Sequence, residues 1–286
     1  MGLCRLFGYS KQAYYKHQKC CEKQQLKRRL ALNLVCQVRH ILPRLGTRKL
    51  HYKLKDQLPL GRDKLFDILR AEGLLVGKKR RYTKTTNSKH WMHKYPNKVK
   101  HLDIIRPEQV WVSDITYIVT MNGFQYLHLV TDAYSKQIMG YKLSGSMNAT
   151  DTACALKMAI NNRKYPLSSL IHHSDRGLQY CSELYTNLLK TNGIDISMTE
   201  QSDPYENAVA ERINGILKNE FGLDDCFEDI QQLQLLTEQA IKLYNSYRPH
   251  LSNQMLTPEQ MHQQQQIPIK KYNKKAPVKL LLPMLS

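Results

Sequence analysis

The sequence predicts an α/β chain: a mixed five-stranded sheet with flanking helices, preceded by an all-α basic region. Three observations carry this. Residues 103–144 hold three closely spaced stretches rich in β-branched and aromatic residues. Residues 150–221 alternate amphipathic stretches with short apolar ones. Before residue 77, apolar residues recur at helical spacing among many Lys and Arg.

The front region comes first. Residues 10–42 have few helix breakers before Pro43 and read as one helix. Leu50, Leu54 and Leu58 recur in steps of four. Leu65, Ile68 and Leu69 resume the spacing after Gly61, and Gly73 closes that helix. Two short helices separated by LPLG outline a helix-turn-helix, with Arg62, Lys64 and Arg70 off the apolar stripe of the second. A plain basic helical hairpin has the same periodicity, and charge tips the reading toward DNA. The net charge is +19, yet residues 1–100 carry 26 Lys and Arg against 5 Asp and Glu, or +21, while the rest carry 17 against 19, or −2. An excess this localised fits a polyanion, and these segments lack the strong apolar helix face a membrane surface requires. From residue 77 to 100, basic residues including Lys79, Arg80 and Arg81 alternate with Tyr82, Trp91 and Tyr95. That pattern suits an extended linker along a phosphate backbone, or simply a solvated connection.

The texture changes at residue 103. WVSDITYIVT alternates as a strand does, MNG turns the chain, FQYLHLVTDAY is a second strand and KQIMGYKLS a third. TDTACALKMAINN follows as a helix, with Thr150 or Asp151 as its cap. SLIHHSD is a short buried strand, SELYTNLLKTNG a helix ending at Gly193, IDISMT a fifth strand and AVAERINGILKNEF a clear helix. A long helix over about 228–247 and the phrases YRPHLS and LTPEQM complete the chain. The expected division is a helical region at 1–76, a basic linker at 77–102, an α/β core at 103–225 and a C-terminal helix and tail at 226–286. No run approaches the roughly 18 apolar residues of a membrane span. MGLCRLFGYSKQ is too polar for a signal peptide. Seven scattered cysteines without a CxxC favour reduced thiols over a zinc ribbon. A cytosolic protein is expected.

Three acids stand out. Asp114 lies mid-strand, where an unpartnered acid is costly to bury. Asp175 ends the fourth strand, and the carboxylates converge if the two strands are neighbours. Glu211 lies on the last core helix, with Lys218 two turns later on the same face. Singly, each reads as a salt-bridge partner, a turn residue or a surface charge, and Glu206 and Glu220 are rivals of Glu211. Asp132 reads as a turn or fold residue. His172 and His173 point to opposite faces, so at most His173 neighbours Asp175. Phosphodiester chemistry explains three carboxylates from separate elements: two Mg²⁺ ions about 4 Å apart activate a hydroxyl and neutralise the leaving oxygen. Such hard ions want few protein oxygens, with water and phosphate completing the shell.

WVSDITYI, HHSDRGLQY and ENAVAERINGILKNE, with 35 residues between Asp175 and Glu211, resemble the DDE transposase and retroviral-integrase superfamily. More narrowly, they resemble the catalytic open-reading-frame product of bacterial insertion sequences. The front region, the KTT linker and YNSYRPHLS…LTPEQ extend the likeness over roughly residues 30–262. Glu206 departs from it, standing where such sequences often have Asp. The resemblance implies an RNase H-like core, with Asp114, Asp175 and Glu211 as metal ligands and Lys218 as a DNA contact. Arg176 and Gly177 are expected to turn the backbone where a DNA phosphate approaches. The implied activity is DNA cleavage and strand transfer, with Mg²⁺ or Mn²⁺ as cofactor. The implied partners are double-stranded DNA at element ends and target, further copies of the chain, and an upstream-frame DNA-binding protein. The implied location is the bacterial cytoplasm, at the nucleoid. A structure-specific nuclease of the same fold and an inactive DNA-binding regulator are the alternatives.

Overall fold

The computed structural model describes residues 8, 10–77, 92–200 and 208–264. Lys79, Arg80, Arg81, Tyr82, Trp91 and Glu206 lie outside the described residues.

The front region is helical as expected. Helix α1 (Lys11–Ile41) is capped by the Ser10 hydroxyl and buries Ala31, Val35 and Val38 only in its second half. Helix α2 (Thr47–Lys53) is shorter than the Leu50–Leu54–Leu58 spacing implies. Leu54 is its C-cap, and a turn carries Leu58 to the same buried surface without further helix. Helix α3 (Arg62–Ala71) ends on Gly73, whose φ of 66° favours glycine. The Gly73 and Leu74 amides donate to the Arg70 and Leu69 carbonyls and close the last turn.

The core holds β1 (Val110–Thr120), β2 (Gly123–Asp132), β3 (Ile138–Ser144), α4 (Ala149–Asn161), β4 (Leu170–Ser174), α5 (Leu178–Cys181), α6 (Glu183–Thr191), β5 (Ile194–Met198) and α7 (Ala208–Phe221). Then come α8 (Ile230–Ser246) and α9 (Pro258–His262). The five strands form one mixed sheet in the order β3-β2-β1-β4-β5. The first three pair antiparallel as a meander, and β4 and β5 join in parallel. This is the RNase H-like arrangement. The cap of α4 differs from expectation. Asn148 is the N-cap, and Asp151 lies inside the first turn, where it accepts from the Ser146 hydroxyl.

Alternation along the strands sends residues to two cores. Trp111, Val130, Met139, Leu170 and Ile196 pack with α4, α5 and α6. A Cβ on Gly140 would meet the Ala155 carbonyl oxygen at 2.1 Å, so only glycine lets α4 lie this close to β3. Val110 and Val112 instead meet Ala210 of α7. Ile118, Leu127 and Leu129 belong to a cluster that also contains Ile213, Leu217, Ala240, Tyr244 and the buried leucines of α2 and α3. The front helices therefore sit on the same core as α7 and α8.

Candidate active site

Strand register brings the first two acids together. The parallel pairing of β1 with β4 matches Val110 to Ile171, Trp111 to His172 and Val112 to His173, an offset of 61. Asp175 minus Asp114 is the same offset, so continuing the register sets the two side by side where β4 ends. Both have the parity of Val112 and Ile171, which lie on the face packed by α7. Glu211 is exposed in the first turn of α7. Asn214, one turn further on, donates from Nδ2 to Asp114 Oδ2 at 2.8 Å and is 7% exposed. The other Asp114 oxygen accepts from the Ile115 amide at 3.0 Å.

The electrostatics match this placement. Burial pushes the Asp114 carboxyl up to about 7, and the facing charges of Asp175 and Glu211 push the same way. The Ile115 and Asn214 donors oppose the rise without cancelling it. Tyr180, buried on α5, has its hydroxyl pushed well up by burial, then by Asp175, Tyr185 and Asp114. The three carboxylates thus form one field of negative charge at one end of the sheet. Among the described residues, no three His, Cys, Asp or Glu side chains stand close enough to hold one ion in this conformation. The donor chemistry nonetheless fits a hard cation. The carboxylates supply oxygens only, Asp114 is held protonation-prone by burial and then by its acidic neighbours, and the buried Asn214 Oδ1 has no hydrogen-bond partner.

Lys218 lies half-buried on α7 with its ammonium 4.3 Å from the centre of the Tyr117 ring on β1. Burial lowers its pKa, and Asp224 and then Asp114 oppose that shift. It therefore sits within the field of the acids, alongside the strand that carries Asp114. Arg176 and Gly177 follow Asp175 directly. The Gly177 amide donates back to Asp175 Oδ1 at 3.0 Å and braces the carboxylate. Gly177 caps α5 at φ −65°, a conformation open to any residue, so the backbone freedom anticipated there is not used. Arg62, Lys64 and Arg70 lie on the exposed side of α3, but Arg62 pairs with Asp63 at 2.8 Å and Arg70 with Asp67 at 2.9 Å, which tempers their charge.

His173, expected as a site neighbour, is buried and its Nδ1 bonds the Ser197 hydroxyl at 2.9 Å. His172 faces the other core, where Nε2 lies 2.7 Å from the Ser113 hydroxyl and 2.9 Å from the Tyr185 hydroxyl. Burial lowers its pKa to about 3, so it stays neutral and ties β1, β4 and α6 together behind the acids. Asp132 is fully buried and accepts from the Glu108 amide and from the Ser135 amide and hydroxyl, a fold role. Asn214 was missed in the sequence. Its signal was its position one turn after Glu211, on the same face as Lys218.

A mixed sheet that gathers an acid from the middle of β1 and one just past the end of β4 under a helix bearing a third defines an integrase-type core. Residues 105–204 match a family model described as an integrase core domain, and residues 192–258 match a second of the same description. The chain is 34% identical over 256 residues, 87% of its length, to an insertion element IS600 uncharacterized 31 kDa protein of Shigella sonnei, covering 93% of that protein. It is 34% identical over 185 residues to the transposase for insertion sequence element IS629 of the same organism, covering 65% of this chain and 61% of that one. Among solved structures, the simian T-cell lymphotropic virus intasome in complex with the PP2A regulatory subunit B56 gamma aligns with a TM-score of 0.49 at 19% identity, over 80% of this chain and 75% of that one. The chain belongs to the DDE transposases of bacterial insertion sequences, enzymes of the polynucleotidyl-transferase class.

Proposed function

We propose that this transposase cleaves the ends of its own element and joins them to target DNA, using Asp114, Asp175 and Glu211 as the ligands of divalent metal ions. The observation that carries the reading is the pair of aspartates in continuing parallel register, with Asp114 pushed up to about 7 by burial first and then by the charges of Asp175 and Glu211. Carboxylates arranged to repel one another raise the affinity of the spot for a cation. When bound, Mg²⁺, as two ions with Mn²⁺ as substitute, supplies Lewis-acid stabilisation of the phosphoryl oxygens and activates water or a DNA 3′-hydroxyl.

The chain's own residues do the rest. The Gly177 amide and the Asn214 amide group orient Asp175 and Asp114 by hydrogen bonds, as outer partners of ligating carboxylates do. Neutral His172 bridges β1 to α6 and holds the strand ends in place. Lys218, steadied on Tyr117, offers a point charge to the phosphate beside the scissile bond. The exposed cations of α3, with Arg176 and with Lys79, Arg80 and Arg81 of the linker, hold duplex DNA largely through its phosphates. The reading includes several copies of the chain on DNA, a DNA-binding protein from an upstream frame, and action in the bacterial cytoplasm at the nucleoid. Among the described residues, no helix is long and apolar enough to cross a membrane.

Purified protein, a labelled duplex of the element end and Mg²⁺ provide the test. Wild type is expected to nick the duplex. Asp114→Asn, Asp175→Asn and Glu211→Gln are each expected to lose nicking while retaining duplex affinity, and Glu206→Gln is expected to be mild. A variant that nicks at the wild-type rate removes its residue from the triad.

A further inference from the structure

Glu220, in the last turn of α7, is the meeting point of two cations from different parts of the chain. Arg248, which follows α8 and is 1% exposed, grips it with two bonds: Nε to Oε2 at 2.7 Å and Nη2 to Oε1 at 2.6 Å. The third guanidinium nitrogen donates to His250 Nε2 at 2.9 Å. From the front region, Lys49 of α2 brings its ammonium to 3.8 Å from Glu220 Oε1 and is 8% exposed. Two more cations of the front region arrive beside it. Arg44 Nη1 donates to the Asn219 carbonyl at 3.3 Å. Lys53 donates to the Tyr247 carbonyl at 3.3 Å and stands 3.5 Å above that ring. Arg44 and Lys49 address the C-terminal end of α7, the negative end of its dipole.

Lys49 is not required to neutralise Glu220, because Arg248 already does so with a paired, charge-assisted grip. A second buried cation there is unfavourable. Burial lowers the Lys49 pKa to about 7, repulsion from Arg248 adds to that, and Glu220 only partly compensates. A Met of similar length would fill the space without that cost. The position of Glu220 on the helix suggests what the lysine does. Glu220 lies nine residues after Glu211, about 13.5 Å along the axis and about half a turn around it. Asn214 and Lys218, three and seven residues after Glu211, share the Glu211 side. A clamp on Glu220 therefore sets both the height and the rotation of the opposite face, the one turned to Asp114 and Asp175.

We propose that Lys49 is a positioning residue: seated against Glu220, it holds α7 so that Glu211 addresses the two aspartates, and it does so only while the front helices are docked. The docking of the region that bears Arg62, Lys64 and Arg70 is thereby linked to assembly of the acidic site. This rests on the reading of Glu211 as a metal ligand given above.

The test uses the full chain and Mn²⁺ alone as probe, with calorimetric Mn²⁺ affinity, duplex affinity, melting and Mn²⁺-dependent nicking read in parallel. Lys49→Met leaves the Arg248–Glu220 pair intact and should melt cooperatively; Lys49→Gln takes its place if it does not. Its Mn²⁺ affinity should fall about 2- to 30-fold, the range typical of residues that couple distant sites. Turnover should fall by a like factor at unchanged KM for duplex. Lys49→Arg should recover most of both. Lys53→Met removes a neighbouring contact of the same front region, to Tyr247, but leaves Lys49 seated on Glu220 and the helices docked, so it should keep wild-type Mn²⁺ affinity. Lys49→Met with wild-type affinity and turnover overturns the proposal, as does a loss in Lys53→Met equal to that in Lys49→Met. Glu211→Gln is measured alongside. If it is defective while Lys49→Met is normal, only the positioning role falls. If Glu211→Gln keeps full Mn²⁺ affinity, the ligand assignment falls as well.

Discussion

Asp114→Asn should make the metal-free protein more stable, and only above mid-acid pH. In the folded chain the Asp114 carboxyl is pushed up to about 7 from its ordinary value of 3.8 by burial, Asp175 and Glu211. A carboxyl raised in the folded state contributes stability that is fully present below its unfolded value and is lost as pH rises through its folded value. Between pH 4 and pH 8 this one group therefore removes stability. Roughly three pKa units at 1.36 kcal/mol each give about 4 kcal/mol, a ceiling because one edge of the residue still reaches water. Asparagine removes the charge and keeps the shape. Its carbonyl can accept the Ile115 amide, and an Asn214 turned about its amide can offer its unpartnered Oδ1 to the new NH₂ group. In EDTA at pH 8 the variant should melt roughly 10 °C above wild type, taking 2–4 °C per kcal/mol. At pH 4 the difference should nearly vanish. Mg²⁺ should then stabilise wild type and not the variant. A variant that melts below wild type at pH 8 in EDTA, or a gain that is equal at both pH values, refutes the reasoning.

Other outcomes follow from the same structure. His262 is fully buried; burial alone would lower its pKa, but hydrogen bonds and charge from Asp132 and Glu108 win and raise it to about 9. Its contribution, about 3 kcal/mol, should be present below pH 6.5 and fade as pH rises through 9, and His262→Gln should abolish that alkaline loss in a melting series. Arg248→Met leaves half-buried Glu220 without its bidentate partner, with only Lys49 beside it, and should cost up to about 3 kcal/mol in urea unfolding. Lys218→Ala should weaken strand transfer and end-DNA crosslinking while Mn²⁺ binding persists; normal joining would remove its role as a DNA contact. Duplex affinity should fall with salt at a log–log slope near −5 if about six phosphates are neutralised, and a slope near zero would sink the electrostatic account.

Much of this was legible because the relevant signals are local. Alternation in WVSDITYIVT set β1 and put Asp114 on one face. The apolar run before HHSD set β4, and the strand period then put Asp175 on the same side as His173. Helical spacing in AVAERINGILKNEF placed Glu211 and Lys218 on one face. What escaped were side chains whose meaning lies in partners far along the chain. Asn214 reads as an ordinary helix residue until it is seen 2.8 Å from Asp114, 100 residues away. Arg248 and Lys49 looked like two more cations in a basic chain, and Glu220 looked like a rival of Glu211. Their convergence depends on how α2 and α8 pack on α7, which no periodicity encodes. Glu108, 0% exposed at a φ of 52°, is likewise legible only through Arg163 and His262, which are contributed by distant segments. The cap of α4 was misplaced by two or three residues because Asn148, Thr150 and Asp151 are all good cap residues and only the chain path selects among them.

The most direct test of the central claim is a strand-joining assay. Purified chain is incubated with Mg²⁺, a supercoiled plasmid and a labelled duplex of the element end bearing a free 3′-hydroxyl. The label should become covalently joined to plasmid DNA with wild type, and joining should be absent with Asp175→Asn although that variant still binds the duplex. Label released only as hydrolysed fragments, or joining undiminished in Asp175→Asn, would contradict the account.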